Sequence, residues 1–142
     1  MSIQSHGMHH RFLDDLSAPE VEAELADSKR AIESHLGGRV TIYAPAGGRL
    51  APGTAVLAQR LGYVRLCSSR VGLWQASANA VEVPRMAMLA TTPLPQLTRW
   101  LRQSPWEMGR QQLRYHALRQ AKRVLGNGLY VQLRQRLLGT SR

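Results

Sequence analysis

Two histidines near the start of the chain, His6 and His10, have the spacing of a metal-ligand pair. Imidazoles four residues apart reach one ion from a single helical turn or a tight loop. A hydrolytic metal site adds a third protein ligand, often a carboxylate, and an open position for water. A run of Ser-His-Gly-Met-His-His also looks like a tag on a loose terminus. Against that interpretation, Phe12, Leu13 and Leu16 follow without a linker at the spacing of a packed element.

Helices and short strands are predicted to alternate after the histidines. Ser17 and Glu20 have the spacing of a capping box, which predicts a helix that begins after Ser17 and ends at about Leu36. Elements in this order favour parallel βαβ units, whose active sites gather at the carboxyl ends of the strands. The loop 45–49 occupies such a place. The other predicted elements are strands at 40–44, 63–67 and within 81–89, the last interrupted at Pro84, and a helix over 52–61.

Length and composition favour a folded domain. The chain has 142 residues, of which 44% are hydrophobic, and this is enough for a core. The single cysteine, Cys67, excludes an intramolecular disulfide and a cysteine-rich zinc module, and we predict that it is a buried strand residue. There is no apolar run long enough for a membrane span and no secretory leader, so we expect a cytoplasmic location for the chain as it stands.

Positive charge is concentrated in the last third of the chain. Residues 98–142 contain ten of the 19 Lys and Arg residues but one of the nine acidic residues. This change, together with the turn residues at 91–95, predicts a boundary between a domain at 1–92 and a basic helical extension at 93–142. Ser104 and Glu107 predict a second capping box and a helix to about Leu125, followed by a short helix over 129–138.

Two interpretations of this basic extension remain open. Basic amphipathic helices that carry Trp and Tyr dock on anionic membrane surfaces. Alternatively, Trp106, Leu113, Tyr130 and Leu133 pack onto the first domain and the arginines are solvated. Nucleic acid is not an expected partner, since no helix-turn-helix, zinc finger or RNA-binding signature is present.

Four ordered sequence blocks resemble the polysaccharide deacetylase family (NodB homology domain, carbohydrate esterase family four). They are S-H-G-M-H-H-R-F-L-D-D-L, A-P-A-G-G-R-L, L-G-Y and C-S-S-R-V-G-L-W. The resemblance implies an α/β fold, a partial distorted (β/α) barrel, that hydrolyses N-acetyl groups on polysaccharide or oligosaccharide with a divalent metal such as zinc. It also implies that His6 and His10 bind the metal, that Pro45 and Ala46 form the oxyanion loop, and that Arg49 is an orienting charge. His9 is then a neighbour of the ligands.

The sequence also departs from the family. The aspartate motif that supplies the catalytic base and a metal ligand is absent, and the late strand at 83–89 lacks the histidine that serves as general acid. Asp14 and Asp15 are a weak substitute, since aspartates at the entrance to a helix are commonly solvated. We therefore expect the C-terminal part of a metal-dependent deacetylase, which is catalytically incomplete alone. The alternative is a non-catalytic protein that binds carbohydrate or an anionic surface through its basic helices.

Overall fold

A computed structural model describes residues 2–74, 81–118, 120 and 121. The chain divides into two compact units, Met1–Leu89 and Ala90–Arg142. The predicted helix end near Leu125, the predicted helix over 129–138, and the side chains of Tyr130 and Leu133 lie outside the described residues. Among the helices that the structure describes, none is both long enough and apolar enough to cross a membrane.

The first long helix, α1, spans Ala18–Leu36 and confirms the predicted bounds. At its start, the Ser17 amide and hydroxyl both donate to the Glu20 carboxylate, at 2.9 and 2.7 Å, as the capping pattern predicts. At its end, Gly37 adopts a left-handed conformation, and its amide donates to the carbonyl of Glu33 at 2.9 Å. Both bounds of α1 therefore follow from local interactions that the sequence predicts.

Three short parallel strands form the sheet, in the order β1, β2, β3. Their bounds are Ile42–Tyr43, Arg65–Cys67 and Glu82–Val83, and helix α2 (Thr54–Arg60) connects the first two. The parallel arrangement confirms the βαβ prediction, and β3 lies within 81–89 as predicted, but β1 and β2 are shorter than predicted. β3 ends immediately before Pro84, since proline has no amide hydrogen to donate to a neighbouring strand.

The core of the first unit lies between this sheet and helices α1 and α2. Its buried side chains are Leu13, Val21, Leu25, Val40, Tyr43, Ala58, Tyr63 and Leu66. Cys67 lies in β2 as predicted, but it is half-buried. The mixed helix and parallel-sheet class is therefore established. The partial barrel stays a prediction, because the described strands form an open sheet.

The second unit begins with two helices, α3 over Leu94–Leu101 and α4 over 105–118. Helix α4 begins directly after Ser104, as predicted, and the Met108 amide donates to the Ser104 carbonyl at 2.9 Å. The Ser104 amide, however, donates to the carbonyl of Arg99 at 3.1 Å and not to Glu107 as the predicted capping box requires. The buried Glu107 carboxylate instead accepts hydrogen bonds from the side chains of Trp100, Gln111 and Arg110, at 3.3, 3.0 and 2.8 Å. These bonds, with the Arg110 bond the strongest cause, lower the pKa of Glu107 to about 2.

Candidate functional site

The histidine loop, residues 6–10, begins where the chain leaves the sheet. Ser5 is buried and forms a parallel bridge with Tyr43. Its amide donates to the carbonyl of Ile42 at 3.1 Å, and its carbonyl accepts from the amide of Ala44 at 2.9 Å. His6 therefore follows an extended residue that pairs with β1, at the sheet edge where ligands of parallel α/β proteins bind. The tag interpretation is wrong, because this segment is built into the sheet.

His6 and His10 lie side by side at this edge. Their ring centroids are 5.0 Å apart, and both residues are exposed. Two imidazoles on one tetrahedral ion, with metal–nitrogen distances of about 2.0–2.1 Å, have centroids about 5 Å apart. His6 Nδ1 donates to the carbonyl of Ala44 at 2.5 Å, and because a carbonyl only accepts, Nδ1 carries the proton. In the neutral ring, Nε2 then has the lone pair that a metal ligand needs. The pair fits two ligands of one ion.

The backbone of the histidine loop has two residues at positive φ. Gly7 has a φ of 99°, and His10 has a φ of 56°, which is uncommon for a residue with a side chain. Glycine adopts a positive φ at no steric cost, but for a residue with a side chain such as His10 the conformation costs about 1–3 kcal/mol and persists where the surroundings enforce it. The position of the His10 ring therefore depends on contacts that hold this loop in place.

A buried carboxylate, Glu24 of α1, provides those contacts. Its oxygens accept the amides of Met8 and His9, at 2.8 and 3.1 Å, and His9 Nδ1 at 2.7 Å. Burial raises the pKa of Glu24, but the bonds from His9 and Met8 outweigh that effect and lower the pKa below its usual value. Sequence reasoning missed Glu24. The available signal was its place beside Val21 and Leu25 on the buried face of the helix, where a charge needs a partner.

The loop between β1 and α2 lies next to His6. Ala46–Gly48 forms one 3₁₀ turn, and Pro45 and Ala46 are buried. The first amides of such a turn have no acceptor within it. The carbonyl of Ala44, which accepts the proton of the His6 ring, directly precedes this loop. One hydrogen bond thus joins the predicted metal ligand to the predicted oxyanion loop.

Arg49, at the end of this loop, faces into the protein. Its side chain is 15% exposed, contacts the carboxylates of Asp14 and Asp15 at 2.6 and 3.4 Å, and lies over the Phe12 ring at 4.4 Å from its centroid. Asp14 and Asp15 belong to a 3₁₀ turn, Leu13–Asp15. In the structure these aspartates are therefore partners of Arg49.

His6 and His10 remain the predicted ligands, and a zinc site commonly has a third protein ligand beside them. Within residues 2–74 and 81–118, no group of three or more His, Cys, Asp or Glu side chains is placed to hold one metal ion. His9 is therefore a neighbour of the pair in this structure. Its ring is turned to Glu24, and its side chain is 68% exposed.

Comparisons with known proteins give a match to a protein family and a match to a solved structure. The family described as polysaccharide deacetylase matches residues 1–66, which contain the histidine loop, α1, β1 and the loop after β1. The Streptococcus pyogenes deacetylase PplD, in complex with acetate, shares the fold with a TM-score of 0.56 and 24% identity, over 70% of this chain. The chain spans 44% of the length of that structure. No curated protein shows significant similarity.

The match over residues 1–66 agrees with the resemblance of the sequence blocks to the polysaccharide deacetylase family.

Proposed function

We propose that this chain takes part in metal-dependent hydrolysis of N-acetyl groups on polysaccharide or oligosaccharide, with His6 and His10 as ligands of a divalent ion such as zinc. The hydrogen bond from His6 Nδ1 to the carbonyl of Ala44 carries the proposal, because in the neutral ring it leaves Nε2 available to a metal and because Ala44 directly precedes the loop 45–49. The family match supports the acetylated carbohydrate substrate. The acetate in the PplD structure is consistent with the same reaction class.

Each residue of the site has a separate task in this proposal. The ion, when bound, would polarise the acetyl carbonyl and activate water. The amides of Ala46 and Gly47, at the start of the 3₁₀ turn after Pro45, would donate to the oxygen that gains charge during attack. Arg49 orients this loop through its contacts with Asp14 and Asp15.

The proposal requires carboxylates beyond those described here. Hydrolysis needs a base to take a proton from water, and a zinc site commonly has three protein ligands. We propose that another segment or another chain supplies both. The intact mass of the protein from its source cells, compared with 15.8 kDa for these residues, tests this part. A larger mass supports it, and acetate release by a protein of 15.8 kDa alone contradicts it.

Acetate release from N-acetylated oligosaccharides by the zinc-loaded protein from its source cells tests the function. We expect release by the wild-type protein, loss of release in His6→Ala, and full release in His35→Ala, whose ring lies at the exposed end of α1. Equal release by wild type and His6→Ala would remove His6 from the site.

A second candidate function rests on the second unit. Its exposed apolar side chains include Trp106, which is 82% exposed, and Leu113, which is 73% exposed. Exposed Arg99 and Arg110 lie in the same two helices and exposed Arg102 lies between them, a composition that suits an anionic membrane surface. Flotation with anionic vesicles tests this candidate: salt-sensitive binding that Trp106→Ala weakens supports it, and no binding contradicts it.

A further inference from the structure

We infer that Glu24 is a positioning residue for the metal pair: its carboxylate holds the histidine loop so that His10 stays beside His6. This inference rests on the proposed function, since it concerns how the same two ligands are held. It adds a residue of α1 to a site that is otherwise built from loops at the sheet edge.

The two ligands are held in different ways. His6 is fixed by the sheet, through the pairing of Ser5 with β1 and through its own bond to the carbonyl of Ala44. His10 lies four residues further along, after Gly7 and at a positive φ of its own. The separation of the two rings therefore depends on what fixes the backbone between them.

Glu24 is the group that contacts that backbone. It accepts two consecutive amides, those of Met8 and His9, and the ring of His9. The carboxylate is 4% exposed, so water does not readily replace these bonds. A Cβ atom on Gly7 would lie 3.1 Å from Glu24 Oε2 and 3.2 Å from the hydroxyl of Tyr43, which shows how closely the loop lies on this carboxylate.

The same helix offers a matched control in Glu33. Its carboxylate also accepts a backbone amide, that of Val40 at 2.8 Å, and also pairs with a cation, Lys29 at 3.1 Å. Glu33 lies nine residues after Glu24, near the other end of α1, and lines a separate cavity with Gly37, Arg39 and Gly62. Replacing Glu33 with Gln therefore removes similar interactions without touching the histidine loop.

Zinc affinity of the protein from its source cells and of its variants, measured by competition with a chromophoric chelator, tests the inference. We expect Glu24→Gln to weaken binding by about 10–100-fold, the usual effect of removing a partner that orients metal ligands. Glu33→Gln should stay within about twofold of wild type, since distant sites act independently. Cobalt bound in place of zinc should show an altered visible spectrum in Glu24→Gln and an unchanged one in Glu33→Gln.

The outcomes separate the inference from the proposed function. If the wild-type protein from its source cells binds no zinc, the proposed function fails. If wild type binds zinc and Glu24→Gln binds it as tightly as Glu33→Gln does, the inference fails alone. If Glu24→Gln does not fold, the zinc affinity of His9→Gln tests the inference instead. This variant removes the bond between the His9 ring and Glu24, and the His9 side chain is largely exposed, so we expect the variant to fold. A loss of about threefold to tenfold then supports the inference, and unchanged affinity contradicts it.

Discussion

Replacement of Gly48 by alanine is predicted to destabilise the loop after β1 far more than the same change at Gly53. Gly48 has a φ of 65°, and a Cβ atom there would lie 2.5 Å from both the backbone nitrogen and the Cβ of Ser69. A left-handed conformation costs a residue with a side chain about 1–2 kcal/mol, and overpacking costs about 1–3 kcal/mol more. The expected loss in the free energy of unfolding is therefore about 2–5 kcal/mol.

Gly53→Ala provides the control for this prediction. Gly53 has a φ of 78°, but no atom lies within 4 Å of its Cβ position, so only the conformational cost of about 1–2 kcal/mol applies. Urea denaturation of both variants and wild type gives the two free-energy changes, provided that the slopes agree. Equal losses in the two variants would refute the reasoning, since the close approach of Gly48 to Ser69 would then have no energetic consequence.

Three further predictions concern the core and the second unit. Leu66→Ala, at a fully buried position in β2, should lower the free energy of unfolding by about 2–5 kcal/mol in urea denaturation, and a loss below that range would contradict the packing described. Tyr63→Phe removes the buried bond from its hydroxyl to the carbonyl of Leu25 and should cost about 0.5–1.5 kcal/mol in the same assay. The stabilisation from Glu107, whose pKa falls from 4.5 to about 2 on folding, should be fully present above about pH 4.5 and lost as the pH falls towards 2. Circular dichroism of Glu107→Gln should show a flatter dependence on pH over that range than wild type does.

Features set by local interactions were predictable from the sequence. The bounds of α1 follow from Ser17, Glu20 and Gly37, each of which acts on its own neighbours in the chain. The end of β3 follows from Pro84 in the same way. The strand lengths were overestimated because apolar β-branched residues such as Val40 are buried without pairing, and pairing depends on neighbours distant in sequence.

The supporting contacts of the site were not predictable, because they join residues far apart in the chain. The His6 ring meets the carbonyl of Ala44, 38 residues later, and Arg49 meets Asp14, 35 residues earlier. Spacing identified His6 and His10 as a pair but gave no indication of what holds the loop between them. Glu24 had a sequence signal, an acid on an apolar helix face, but its partners are fixed only by how α1 packs beside the loop.

The central claim, that His6 and His10 hold a divalent ion, is tested most directly by zinc titration of the wild-type protein from its source cells and of its single histidine variants. The account predicts one zinc per chain, with binding strongly weakened in His6→Ala and in His10→Ala and unchanged in the surface control His35→Ala. If all four proteins bound zinc equally, or none bound it, the metal pair would not exist and the account would be wrong.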